Sequence, residues 1–318
     1  MKIQSCICTR QELEALHDKI EQGGGMNITQ FGKTCIVRAL LFTALVMAFV
    51  PVAMAGIAES VHNLGITGTG PSANGGERNQ FTGTAEICVF CHTPHGGNSS
   101  AAVPLWNRNL NTASAYSTYD QLGTSTFDAK IADVGSVSIG CLSCHDGTMA
   151  IDSMINEPGS GADNPGFSAG SWTGDDVRGA EDGRLAADIV QNLGTDLTND
   201  HPIGMQYAGG GVSASKPVLP QGETNDPDFA EVLYTVKDGR FLWWVDRDWR
   251  TGGDGERTKR DVVLYTRDSS NGYPGQSEQE PFVECASCHD PHSTENPTFL
   301  RISNTETPSG LCLTCHVK

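Results

Sequence analysis

Apolar side chains gather in a few short stretches of this chain and are thin elsewhere. Val232–Val236, Phe241–Val245 and Val262–Thr266 are runs of β-branched and aromatic residues separated by Asp238-Gly239 and Gly252-Gly253-Asp254-Gly255, with Asn271-Gly272 following the third. Such runs, bounded by turn dipeptides, predict strands and hairpins. They define a small β-rich insert of about three strands within 205–280, with Trp243, Trp244 and Trp249 assigned to its packing core rather than to a binding platform. Segments 65–80 and 156–183 are rich in Gly, Ser, Asn, Asp and Pro and read as loops. Residues 181–193 are expected to form a short helix. One further apolar run, Ala39 to Val50, is shorter than the roughly 20 residues that span a bilayer.

That run has the surroundings of an export signal. Lys33 and Arg38 precede it, and Pro51 and Ala53-Met54-Ala55 follow, a charged region, an apolar region and a small-x-small cleavage site in order. The mature chain is expected to start at Gly56, with residues 26–55 as the signal peptide and no membrane anchor retained. Residues 1–25 form a polar segment ahead of Met26, read as upstream sequence outside the natural start. Setting residues 1–55 aside removes five basic and four acidic side chains and takes the formal charge from −17 to −18. A chain so acidic is repelled by nucleic acid and by anionic lipid, which excludes both as partners.

The cysteines change the picture most. Of 11, the three before Gly56 (Cys6, Cys8 and Cys35) leave with the leader, and the other eight fall into one pattern. Cys88-x-x-Cys91-His92, Cys141-x-x-Cys144-His145, Cys285-x-x-Cys288-His289 and Cys312-x-x-Cys315-His316 are four copies of C-x-x-C-H. This is the attachment site of c-type haem. Residues three and four apart share a face of a helical turn, so two thiols bond the macrocycle while the histidine reaches the iron from the same side. With Cys and His each near 3%, a chance copy is expected roughly 0.007 times in the mature chain. Disulfides, the ordinary reading of an even cysteine count in an exported chain, give no reason for a histidine after every second cysteine. Zinc ribbons leave the histidines equally unexplained. Four covalently bound haems c are expected, with His92, His145, His289 and His316 as proximal ligands.

Four more histidines remain in the mature chain, His62, His95, His201 and His292. Four irons need four distal ligands, so bis-histidine ligation is expected throughout, with Met149, Met154 and Met205 as possible substitutes at one iron. Irons saturated in this way have no position for a substrate, which makes electron transfer their natural role. His95 and His292 follow a proximal histidine by three residues, in Cys-His-Thr-Pro-His and Cys-His-Asp-Pro-His. Each lies on the proximal side of its own haem and is expected to serve a neighbouring one, with Pro94 and Pro291 stiffening the span. Regular structure should be sparse, with a helical turn at each motif and the haems filling the interior.

The motifs, together with His62-Asn63-Leu64, Pro104-Leu105-Trp106-Asn107 and Asp200-His201-Pro202-Ile203, resemble those of bacterial exported cytochromes with doubled C-x-x-C-H motifs. The chain is also similar to tetrahaem cytochromes that polymerise into extracellular filaments. The resemblance covers most of 57–205 and 281–318, and 205–280 departs from it. It implies a haem-templated multihaem cytochrome c, mostly coil and turns with short helices at the motifs. Haems 1 and 2 lie in 56–204 and haems 3 and 4 in 281–318. It further implies a secreted or periplasmic protein whose partners are redox proteins, extracellular electron acceptors or other copies of itself. In the filament branch a histidine near the mature N-terminus can ligate a neighbour's haem, a role that falls to His62 here. A periplasmic carrier and a multihaem oxyanion reductase are the alternatives, the latter requiring an open haem. A surface protein using haem only as scaffold ranks below both. No phosphate loop, nucleophile elbow or acidic metal cage accompanies the motifs, and no catalytic residue is assigned.

Overall fold

A pleated surface is what the aromatic and β-branched runs build. In a computed structural model, five antiparallel strands lie in the order β3-β7-β6-β5-β4. They are β3 (Met205–Gln206), β4 (Leu233–Lys237), β5 (Arg240–Val245), β6 (Val262–Arg267) and β7 (Glu280–Val283). The structure describes residues 56–68, 79–124, 129–159, 167–174, 177, 183–209, 226–273, 279–305 and 307–317, all within one compact unit, 55–318. The upstream segment, the signal peptide and much of the two expected loops lie outside the described residues.

Hairpin chemistry sets the register. Asp238 and Gly239 both have positive φ, 51° and 76°, the signature of a two-residue turn whose twist matches that of the strands it joins. Lys237 therefore pairs with Arg240, and Tyr234 faces Trp243, which faces Leu264. Alternation then puts Phe241, Trp243 and Val245 on one face with Val262, Leu264 and Val283, where they pack with Tyr207 and Val232. Leu311 and Cys315 of the C-terminal helix close over the same face. Trp243 and Trp244 are 1% and 5% exposed, as packing residues should be. Trp249 packs only partly against this cluster and has another task, described below.

The rest of the chain is mostly coil. β1 (Gln80–Phe81) and β2 (Trp172–Thr173) form a two-stranded ladder. The described helices are short: α1 (Ser138–His145), α2 (Cys285–Cys288) and α3 (Gly310–Cys315), each carrying one C-x-x-C-H cysteine pair, with single 3₁₀ turns elsewhere. At the first motif, Cys91 and His92 both donate backbone N–H to Cys88 O, one turn of helix without further extension. Two small apolar clusters support this region. Phe81, Phe90, Phe167 and Trp172 surround Cys91 and Cys144, and Trp106, Ile139 and Leu142 form the other. Among the described residues no helix is long and apolar enough to cross a membrane.

The short helix expected over 181–193 is absent from its described part, 183–193, which forms turns and a bridge from Leu185 to Val177. Gly183 has φ of +63°, and Asn192 Nδ2 donates to the carbonyls of Leu185 and Ala186. Leu193 N–H goes to His145 O instead of to its own turn. Tertiary hydrogen bonds to the second motif replace those a helix would have made.

Replacing Trp243 by Ala should cost about 3–5 kcal/mol, because its cavity opens between the sheet and α3. Urea denaturation should show the loss as a lower midpoint with an unchanged slope.

Candidate functional site

Among the described residues, His92, His145 and His289 are held in one manner. The Nδ1–H of His92 donates to Pro104 O at 2.8 Å, that of His145 to Gln191 O at 2.8 Å, and that of His289 to Thr298 O at 2.7 Å. A carbonyl only accepts, so each ring carries its proton on Nδ1 and presents Nε2 unprotonated. This is how a metal-ligating histidine is oriented and made more basic. The carbonyls come from segments that follow each motif: the Pro104 turn, the 189–193 turn, and a turn in which Thr298 and Phe299 both have positive φ.

The spare histidines are placed unequally. The His62 ring lies 6.1 Å from that of His145, at 71°, and the His292 ring lies 6.2 Å from that of His92, at 18°. One metal ion bridging two imidazoles through bonds of about 2 Å would separate ring centres by about 6 Å. Both pairs fit that spacing. His62 is half-buried and stacks on Phe299 at 4.5 Å, with Gly56 packed against the backbone of His292–Thr294. Burial, and then the charges of His145, His292 and His289, hold His62 down to about 3, so at neutral pH the ring is uncharged. Burial likewise lowers His145, against the pull of its Gln191 hydrogen bond. Within its own chain, then, His62 lies between the His145 and Phe299 rings. His95 and His201 are exposed: the backbone carbonyl of His95 accepts from Thr93 and Asn156, and His201 Nδ1 donates to Pro202 O at 3.1 Å.

The cysteines string the motifs together in chain order. Burial raises Cys91 to about 12, and the nearby Cys144 adds to it. The Cys141 thiol hydrogen-bonds with Cys285, raising the one and lowering the other. Burial raises Cys288 to about 11 and Cys315 to about 12, Cys312 and Cys288 being among the neighbours that add to these shifts. First motif lies by second, second by third, third by fourth.

The second and third motifs meet at a buried polar knot. Glu284 caps α2 through a reciprocal pair with Ser287, accepts Ser138 Oγ at 2.5 Å, and pairs with Arg267 at 2.7 Å. Arg267 also donates to the carbonyls of Asn271 and Asp133, while Cys285 N–H goes to Ser138 Oγ. Both ion-pair side chains are almost wholly excluded from water. The fourth motif is held by the sheet. Trp249 Nε1 donates to Thr314 O at 2.9 Å, and Arg250, stacked on the Trp249 ring at 4.4 Å, donates to Leu313 O and His316 O. Backbone pairing of Ala230 N–H with Cys315 O and Val317 N–H with Asp228 O closes the other side, with the Phe229 ring 4.8 Å from that of His316.

The residues present fit covalently held haem. Each of the four sites offers two thiols three residues apart and a histidine directly after them, the donor set that covalent attachment and iron ligation require. Sequence reasoning missed Glu284, Arg267 and Ser138, as well as Arg108, which is fully buried beside the second motif. Only Glu284 had a local signal, its position one residue before a C-x-x-C pair.

Arg267→Met should cost about 3–5 kcal/mol, because it strands the Glu284 carboxylate in the interior. Combining it with Glu284→Leu should recover much of that loss, read in denaturation as a strong coupling between the two sites.

Comparison with known proteins bears on the last part of this site. The doubled CXXCH motif family matches residues 280–318, from β7 through α2 and α3, and so takes in the third and fourth motifs. No curated protein matches the chain. The first and second motifs repeat the same spacing outside the matched stretch. The match supports a c-type cytochrome-like, multihaem protein, whose motifs point to covalently bound haem c and to electron transfer rather than catalysis.

Proposed function

We propose that this chain is an exported tetrahaem c-type cytochrome that passes electrons along closely spaced, bis-histidine haems. Cys88 and Cys91, Cys141 and Cys144, Cys285 and Cys288, and Cys312 and Cys315 hold the four macrocycles, and His92, His145, His289 and His316 are their proximal ligands. His62 completes the second iron and His292 the first, while His95 and His201 serve the third and fourth. The observation that carries this reading is the pair of ring separations, 6.1 and 6.2 Å, each joining a motif histidine to a spare one. The interior is then templated by haem, which explains why the apolar clusters around the first two motifs are small and why the coil between them is tolerated.

Chain-order neighbours among the cysteines support a continuous path of haems through the molecule. Saturated irons leave electron transfer as the role and offer an oxyanion no site. Engagement of His62 inside its own chain favours a self-contained carrier, in the periplasm or outside the cell, over a head-to-tail filament sealed by that residue. In this reading the sheet is a brace that fixes the fourth motif through Trp249 and Arg250.

Mass spectrometry of the exported protein should give the chain from Gly56 plus four haems. The ferric protein should be wholly low-spin, with two distinguishable kinds of resonance signal, because the His92/His292 rings are near parallel and the His62/His145 rings are near perpendicular. His62→Ala and His292→Ala should each create one high-spin haem that binds carbon monoxide, in a protein that sediments as a monomer with or without the change. Filaments formed by the natural chain and lost in His62→Ala would overturn the in-chain ligation.

A further inference from the structure

Arg108 is an anomaly in this fold. Its side chain is completely buried, yet every partner it has among the described residues is neutral. Nε donates to Ser143 Oγ at 3.2 Å, Nη2 to the carbonyls of Ser143 and Ala150 at 2.8 Å each, and Nη1 to Ile151 O. Arg267, the other fully buried arginine among the described residues, is neutralised by Glu284. A guanidinium does not lose its proton, so Arg108 is a fixed positive charge in a low-dielectric interior, an expensive arrangement when only dipoles answer it. In a chain with a formal charge of −17, a carboxylate partner would have been easy to supply.

Its position explains the exception. Ser143 lies between Cys141 and Cys144 of the second motif. The residue before Arg108, Asn107, donates its backbone N–H to Cys91 O of the first motif, and its side chain ties Val89 to Asn156. Arg108 therefore stands where the first two motifs adjoin. Beside the third motif both arginines are answered by carboxylates, Arg267 by Glu284 and Arg301, whose Nε donates to Ala286 O, by Asp290 at 3.7 Å, and the fourth motif has Arg250, which is exposed and screened by solvent.

Building on the four-haem reading, we infer that Arg108 is a tuning residue that sets the reduction potentials of the first two haems above those of the third and fourth. Reduction removes one unit of positive charge from an iron centre, so a fixed cation nearby favours the reduced form. Electrons entering at either end would then settle on the pair held by Cys88–His92 and Cys141–His145, which gives the haem path a direction.

The test uses the full exported holoprotein in two variants. Arg108→Gln removes the charge, and Ser143→Asp keeps the arginine but sets a carboxylate against its Nε. The haems are titrated electrochemically, the first and second being told apart by the two kinds of low-spin resonance signal, with haem content checked by mass. Both variants should lower the potentials of the first two haems and leave the fourth unchanged, while Arg108→Lys and Ser143→Ala, which keep the charge, should stay near the natural values. Should Arg108→Gln fail to fold, Ser143→Asp decides alone. Four haems present with unchanged potentials, or with all four shifted equally, would overturn the tuning role. A natural chain that carries no haem would instead overturn the reading beneath it.

Discussion

The ion pair between Arg267 and Glu284 is the constraint on which the rest of the architecture depends. Arg267 ends a central strand of the sheet, and Glu284 caps the helix of the third motif. Ser138, which hydrogen-bonds to Glu284, opens the helix of the second motif. One buried knot thus ties a pleated surface to two haem motifs. A buried pair of this kind gives little net stability, because desolvation cancels much of the attraction. What it supplies is geometry: all three Arg267 nitrogens and both Glu284 oxygens have partners, so the three elements meet in one way. In a molecule that is mostly coil, such fixing of orientation matters more than added area of apolar contact.

Around that knot the chain divides its labour. The sheet is a conventional hydrophobic assembly, with Trp243 at its centre and α3 laid across one face. The haem-motif region has small apolar clusters and relies on side-chain hydrogen bonds to backbone: Asn107 to Val89 and Asn156, Arg108 to Ala150 and Ser143, Asn192 to Leu185 and Ala186. Loops that would fray if left to themselves are thereby pinned to one another.

Much of this was legible in the residues. The motifs are plain because covalent chemistry allows no substitution of cysteine. The hairpin is plain because Asp238-Gly239 meets a demand for positive φ that few other dipeptides meet. Histidine pairing was not legible: that His62 faces His145, and His292 faces His92, depends on how coil segments fold over each other. The helix expected before Leu193 failed for a related reason, since Gln191 O and Leu193 N–H serve His145 rather than a helical ladder. Arg108 had no signal at all, for a single arginine in Trp-Asn-Arg-Asn looks like a surface residue until its four acceptors are seen around it.

The stacking of His62 on Phe299, and the packing of Gly56 against His292–Thr294, bring the two extremities of the described chain together. A polypeptide is made N-terminus first. Its opening segment must therefore wait for nearly the whole length to follow before it finds its place. During that interval the earliest cysteine pairs are already exposed, while the ring that faces His92 is still to come. Maturation of such a chain has a vulnerable period built into its topology, in which the first motif is accessible to chemistry that the finished molecule shuts out. Truncation near the C-terminus would make that period permanent.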